Sequence, residues 1–254
     1  MQTLPTPPRL TPASALFLDF DGTLVALAET PEAIEVPPAL VGLLTDLHHA
    51  LGGAVAVVSG RQIDVLDRFL APLRLPAAGE HGVQRRNAEG QMKEIQPPDL
   101  ASVLDAANAL AGVHAGLLVE RKHGAIALHY RLAPELESVC HDVMARVIEG
   151  QPALELLHGK FVFEVKPSSV NKGLAIEAFM QESPFKGRVP VFAGDDTTDE
   201  SGFAVVQPLG GIGIKVGSGP TLADHRLDST LAVFEWLVEA RNVLAGAPSR
   251  KPAS

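Results

Sequence analysis

Asp19-Phe20-Asp21-Gly22-Thr23 follows the apolar run Ala15-Leu16-Phe17-Leu18, and it is answered far downstream by Gly194-Asp195-Asp196-Thr197-Thr198-Asp199. Side chains alternate along a strand with period two, so Asp, one residue, then Asp at a strand end puts both carboxylates on one side of the backbone. Gly22 gives a turn whose backbone N–H groups can approach an anion, and Thr23 adds a hydroxyl donor. An isolated Asp-X-Asp is usually a solvated turn. Here a second acidic cluster follows another apolar run, 189–193, and two such strand ends point to a metal ion and a phosphate.

Outward from that stretch, the chain reads strand (15–20), amphipathic helix (38–50), strand (53–58) ending in Ser59-Gly60-Arg61, helix (62–70), and a short strand (76–79) before Glu80-His81-Gly82. The strands are continuously apolar, the pattern of a parallel sheet covered by helices on both faces. This predicts an α/β protein with a doubly wound, Rossmann-like parallel sheet. From 83 to 166 the rhythm changes. A hairpin signal, Asn87-Ala88-Glu89-Gly90, lies between runs 83–86 and 91–95; a helix (100–111), a strand pair (117–122, 125–131), a helix (134–149) and a second pair (154–157, 161–165) follow. That describes an inserted antiparallel α+β unit. The core resumes over 167–244 with a helix at 172–180, strands at 189–193 and 211–216, and a closing helix at 231–244 introduced by Asp228 and Ser229. The expected division is an N-terminal tail (1–14), core (15–82), insert (83–166), core (167–244) and C-terminal tail (245–254). The opening from Pro5 to Pro12 reads as disordered.

The 254 residues carry 46% hydrophobic and 20% charged side chains, enough for a sizeable core. A net charge of −9, from 21 basic and 30 acidic residues, argues against nucleic acid or an anionic membrane as partner. An anionic substrate then requires a locally positive pocket. The lone Cys140 excludes an internal disulfide. No signal peptide pattern and no run of about 18 apolar residues is present, so a cytoplasmic location is expected. No segment identifies a protein partner.

In open parallel sheets, ligands sit beyond the C-terminal strand ends, where Asp19, Ser59 and Asp195 are expected to converge. Mg²⁺ prefers oxygen ligands and needs only one or two protein carboxylates beside substrate phosphate, which Asp19 and Asp195 supply. No Cys or His grouping has zinc spacing. Asp19 suits a nucleophile because aspartate is ionised at neutral pH without an activating base. Asp21 is then placed to protonate a poor leaving group and afterwards to deprotonate water. Lys172, in Asn171-Lys172-Gly173 at a helix start, offers a cation for phosphoryl oxygens, and the Ser59 hydroxyl with the Gly60 amide offers a further site.

These four elements, in this order, resemble the haloacid dehalogenase superfamily of phosphatases. A finer resemblance, to trehalose-6-phosphate phosphatases, runs through Val58-Ser59-Gly60-Arg61, Gly79-Glu80-His81-Gly82, residues 127–131, Gly159-Lys160, residues 164–167 and Gly194 to Glu200. It spans roughly residues 15–240. The resemblance implies hydrolysis of trehalose 6-phosphate through an aspartyl-phosphate, with Asp19 as nucleophile and Asp21 as acid/base. It implies Mg²⁺ on the Asp19 carboxylate, the Asp21 carbonyl and Asp195, with Asp196 and Asp199 positioning ligands or waters. It makes the insert a cap that closes over the sugar, gives Lys160 and Glu164 contacts to sugar hydroxyls, and puts Arg61, Glu80 and His81 at the substrate near the core–cap junction. Any substrate role for Arg121 or Lys122 stays unassigned. Two rival readings remain open: a capped phosphatase for another sugar phosphate, such as sucrose phosphate or a glycosyl phosphoglycerate, and a sugar-phosphate-binding regulator without catalysis.

Overall fold

A strand that is apolar on both faces needs a layer above and below, and the first apolar run meets that need at the centre of a large sheet. The computed structural model describes residues 4–28 and 33–246. Its first part comprises β1 (Ser14–Leu18), α1 (Pro38–Ala50), β2 (Val55–Val58), α2 (Ile63–Leu70), β3 (Ala77–Gly79), β4 (Gln84–Arg86) and β5 (Met92–Glu94). Then come α3 (Ala101–Val113), β6 (Leu118–Arg121), β7 (Ile126–His129), α4 (Glu137–Val147), β8 (Leu154–Gly159) and β9 (Val162–Pro167). The chain continues through α5 (Lys172–Met180), β10 (Val189–Gly194), α6 (Glu200–Val206), β11 (Ile212–Val216), β12 (His225–Leu227) and α7 (Thr230–Gly246).

The large sheet has the order β12-β11-β10-β1-β2-β3-β4-β5, parallel from β12 to β3. Alternation along β1 sends Leu16 and Leu18 into one apolar layer with Leu40, Leu44 and Leu237, and Ala15 and Phe17 into the opposite layer with Phe179, Phe185 and Phe192. Both faces are covered, as a doubly wound α/β fold requires. A second sheet, β6-β7-β9-β8, is antiparallel and packs Leu128, Phe163 and Val165 against Val103, Cys140 and Met144 of α3 and α4.

Two expectations change. The hairpin β4–β5, assigned to the insert on rhythm, pairs antiparallel with β3 and extends the large sheet. Three long-range ion pairs attach it there, one of them Lys93 Nζ on Glu182 Oε1 at 3.0 Å. Arg86 grips both oxygens of Asp67 on α2 at 2.6 and 2.7 Å, and Arg85 grips Glu182 after α5 at 2.8 Å through each nitrogen. Hydrogen bonds from Arg85 draw the Glu182 carboxyl down to about 2, outweighing its partial burial. The Pro-rich opening is docked rather than disordered over its described part. Leu10 is buried, Arg226 N–H donates to Pro5 O at 3.0 Å, and Trp236 Nε1 donates to Pro8 O at 3.2 Å. Residues 1–3 of the expected N-terminal tail lie outside the described residues, as do residues 247–254 of the C-terminal one; residues 245 and 246 end α7. The sequence reading also passed over α6, too short for a periodic signal, and β12, whose His-Arg-Leu lacks an apolar run. No helix among the described residues is long and apolar enough to cross a membrane.

Because Leu10 fills the layer beneath α1 and α7, Leu10→Ala should cost about 2–5 kcal/mol in urea unfolding. A loss below about 0.5 kcal/mol would show the opening segment to be undocked in solution.

Candidate active site

The sheet order explains why distant acids meet. Parallel pairing of Leu18 with Ala193 on one side and Val57 on the other sets the ends of β10, β1 and β2 side by side, with Asp195, Asp19 and Ser59 next along the chain. Chain direction across the sheet reverses at β1 and β10, the topological switch point where such folds open a crevice. The ladder reaches Asp19 itself, whose N–H donates to Ala193 O at 2.9 Å. From the adjacent layer, α5 begins at Lys172, capped by Asn171 Oδ1, which accepts from Leu174 N–H at 2.9 Å. Lys172 Nζ lies 2.7 Å from Asp19 Oδ1 and 2.6 Å from Asp199 Oδ1, and all three residues are buried.

Asp19, Asp195 and Asp199 each bring a carboxylate oxygen within 4.8 Å of the others. Three carboxylates therefore converge on the Lys172 ammonium, with Lys215 as a second cation beside Asp195. Burial drives the Asp19 carboxyl well above its usual range; Lys172 opposes this, while Asp199 and Asp195 add to it. Asp195 is pushed up to about 6 by burial, then by Asp199 and Asp196. Burial disfavours the Lys172 cation, but Asp19 and Asp199 outweigh it and raise its pKa. An uncompensated buried charge costs on the order of several kcal/mol, so this cluster is poor for stability unless a cation joins it. Hard oxygen donors converging at a strand end fit a Mg²⁺-type dication. Asp196, expected beside the metal, instead caps the 3-10 turn at Thr197–Asp199. Its Oδ1 accepts from Thr197 N–H at 2.7 Å, while Asp199 Oδ2 accepts from Asp196 N–H at 3.0 Å.

Gly22 was expected to offer its amide to a phosphate, but that N–H donates to Val25 O at 2.8 Å. Its role is steric. With φ of +78°, a Cβ there would fall 2.1 Å from Asp195 Oδ2, so only glycine lets the two acidic strand ends close up. Thr23 has a fully buried hydroxyl without a partner, a donor still available to an anion. Ser59 is buried, its Oγ accepting from Arg61 N–H at 3.2 Å, which leaves the hydroxyl proton for a ligand. Gly60 presents its carbonyl to Lys122 Nζ at 3.3 Å. Arg61, expected at the substrate, lies on Asp21: Nε donates to Oδ2 at 2.6 Å and Nη2 to Oδ1 at 2.8 Å.

The second sheet meets the core through its polar face. Period two sends Phe163 and Val165 of β9 to the helices and leaves Glu164 on the opposite face. Glu164 Oε2 takes Lys122 Nζ at 2.5 Å, and its Oε1, buried without a hydrogen bond, lies 3.5 Å from His81 Nε2. Burial, then Lys172, Lys122 and Lys166, hold His81 well below its usual pKa, so the ring is neutral beside that carboxylate. Glu80, expected at the substrate, is taken up by the second sheet's turn. His123 N–H and Gly124 N–H donate to its two oxygens at 2.8 and 2.6 Å, and Glu80 and His81 hold positive φ angles of 47° and 58° to do this. Lys160 lies exposed in the turn between β8 and β9, outside this cluster.

The sequence reading missed two further groups. Lys215, buried near the end of β11, donates Nζ to the Asp195 carbonyl and fixes the second acidic strand end; a lysine inside an apolar run was the available signal. Lys122, left unassigned, supplies the cation beside Glu164, and on the same face His129 Nε2 lies 2.9 Å from Glu120 Oε2.

A profile of the trehalose-phosphatase family matches residues 17–232. Over 232 residues the chain is 42% identical to the trehalose-6-phosphate phosphatase of Escherichia coli (strain K12), covering 91% of this chain and 87% of that protein. A probable trehalose-phosphate phosphatase of Sinorhizobium fredii (strain NBRC 101917 / NGR234) is 42% identical over 217 residues, or 85% of this chain and 82% of that one. The fold also matches a solved trehalose-6-phosphate phosphatase C-terminal domain of C. albicans with a TM-score of 0.81, across 91% of this chain and 92% of that one, at 22% identity. The matched span takes in both acidic strand ends, Lys172 and the whole second sheet, and on that ground the chain belongs to the trehalose-phosphatase family.

Proposed function

We propose that this phosphatase hydrolyses trehalose 6-phosphate to trehalose and phosphate through an aspartyl-phosphate on Asp19, with Mg²⁺ as cofactor. The observation that carries the reading is the Asp19 carboxylate held 2.7 Å from the Lys172 ammonium, among three converging acids, with Asp21 two residues on. A pure binding protein for a sugar phosphate has no use for a buried nucleophile beside an acid. In the first half-reaction an Asp19 oxygen bonds to phosphorus and the bond from phosphorus to the sugar oxygen breaks. The electron pair stays on that oxygen, which takes the proton of Asp21 in its acid form. In the second half-reaction water bonds to phosphorus and gives a proton to the Asp21 carboxylate, and the bond from phosphorus to Asp19 breaks. Lys172, the Thr23 hydroxyl and the Ser59 hydroxyl offer donors to the phosphoryl oxygens. Asp19, Asp195 and Asp199 would hold the dication, which when bound neutralises charge on the phosphoryl group and holds these carboxylates ionised.

Substrate choice belongs to the polar face of the second sheet, acting as a cap. Glu164 Oε1 and His81 Nδ1 are buried and unpartnered, which suits a ligand rich in hydroxyls. Lys160 reaches such a ligand only if the turn it occupies comes closer, so its contact to the sugar is proposed for the closed state.

Phosphate release from trehalose 6-phosphate, sucrose 6-phosphate and glucose 6-phosphate, with Mg²⁺ and with chelator, tests substrate and metal together. The reading requires Mg²⁺-dependent hydrolysis strongly favouring the first, and preference for another ester would reassign the sugar site. Asp19→Asn should lower turnover by about 10⁴-fold or more, and near-normal turnover would remove the nucleophile. Gly22→Ala, which drives a methyl into Asp195, should lower kcat by about 10²-fold through a displaced carboxylate; an unaffected kcat would contradict that steric role. For Asp195 the folded pKa lies above the ordinary 3.8, so the folded state favours the proton and stability falls as pH rises from 3.8 to about 6. Mg²⁺ offsets that loss, so it should raise the melting temperature more near pH 7 than near pH 5. Equal gains at both would rule out a cation among these acids.

A further inference from the structure

Arg61 is tied down on every side before any ligand arrives. Its N–H donates to Ser59 Oγ at 3.2 Å, and its carbonyl accepts from Glu80 N–H at 2.9 Å. Its guanidinium carbon sits 5.8 Å from the Phe20 ring centroid and 5.1 Å from that of Phe69, two rings that are 5.8 Å apart. From that seat the fork meets both oxygens of Asp21, at 2.6 and 2.8 Å, with the arginine side chain 13% exposed and the aspartate 28%. A planar fork set over aromatic rings and meeting a carboxylate with two N–H groups uses what arginine has and lysine lacks. Phe20, Asp21 and Arg61 thus form one unit: a ring from the nucleophile loop and a ring from α2 hold the cation, and the cation fixes the carboxylate.

We propose that Arg61 is a positioning residue for Asp21 in the reaction, rather than a contact to the sugar: one N–H keeps its hold on one carboxyl oxygen while the other oxygen is released to carry the proton that the leaving group takes. The inference rests on Asp21 being the acid/base group. Its consequence is specific to the leaving group. When phosphorus passes from the sugar oxygen to Asp19, the departing alkoxide needs the Asp21 proton, whereas a nitrophenolate carries the electron pair without one. Misplacing Asp21 therefore penalises the sugar ester more than the aryl ester, and it does so in kcat/KM, which covers the chain of steps through the first phosphoryl transfer. A structural defect would depress both esters alike.

The test measures kcat/KM for trehalose 6-phosphate and for p-nitrophenyl phosphate in Arg61→Lys, Arg61→Gln, Asp21→Asn and the doubly substituted enzymes, with thermal melts to verify folding. Arg61→Lys keeps the charge and so guards against simple loss of the fold. Both Arg61 variants should lose at least about tenfold more on the sugar ester than on the aryl ester, Asp21→Asn should show the same bias, and the Arg61 effect should shrink to about twofold in the Asp21→Asn background. An Arg61 effect that persists in full in that background means a direct contact to the sugar and overturns the inference. So do equal losses on the two esters in the Arg61 variants while Asp21→Asn keeps its bias. If Asp21→Asn itself shows no bias, the acid/base reading falls, and this inference falls with it.

Discussion

The structure turns on the ammonium of Lys172 set between Asp19 and Asp199, with Asp195 completing a cluster in which acid outnumbers base. Such an arrangement is costly to bury, and the surrounding elements read as the means of holding it. The neighbouring ends of β10 and β1 bring two of the acids together, and the capping box of the following 3-10 turn orients the third. Gly22 and Gly194 leave no side chain in the way: a Cβ at Gly194 would lie 2.2 Å from Asp199 Cγ. Lys215 grips the Asp195 carbonyl from the next strand. Apart from the Lys215 cation, which also eases the charge on Asp195, these devices fix acids rather than relieving their charge, which leaves the rest of the charge relief to a metal cation.

A second constraint links the two sheets. Glu80 and His81 sit in a left-handed turn after β3, and Glu80 spends both oxygens on amides of the second sheet's turn. Lys122 reaches back from that sheet to the Gly60 carbonyl while holding Glu164. The loop that carries Ser59 and Arg61 is therefore coupled directly to the face proposed to meet the sugar. Movement of the second sheet would be felt at the phosphate site through these few hydrogen bonds.

Much of this was legible in the sequence, because strand-end chemistry is local. Apolar runs marked β1, β2 and β10, and the residues just past them carried the acids and Ser59; Asn171 announced the helix that starts at Lys172. What the sequence hid was long-range or polar. The attachment of β4–β5 to the large sheet depends on Arg85 and Arg86 meeting Glu182 and Asp67, partners that no local pattern reveals. Docking of the opening segment depends on Trp236 and Leu10, at opposite ends of the chain. Arg61 on Asp21 and Asp196 as a cap are choices among several chemically sensible partners, which residue type alone does not decide.

The central claim is that Asp19 itself carries the phosphoryl group. Its most direct measurement is a rapid acid quench of the enzyme turning over trehalose 6-phosphate labelled with radioactive phosphorus, followed by peptide mapping. The account predicts a label on the peptide containing Asp19 that is lost on treatment with hydroxylamine and absent from Asp19→Asn. Turnover with no protein-bound label at any quench time, or a label on another residue, would contradict it.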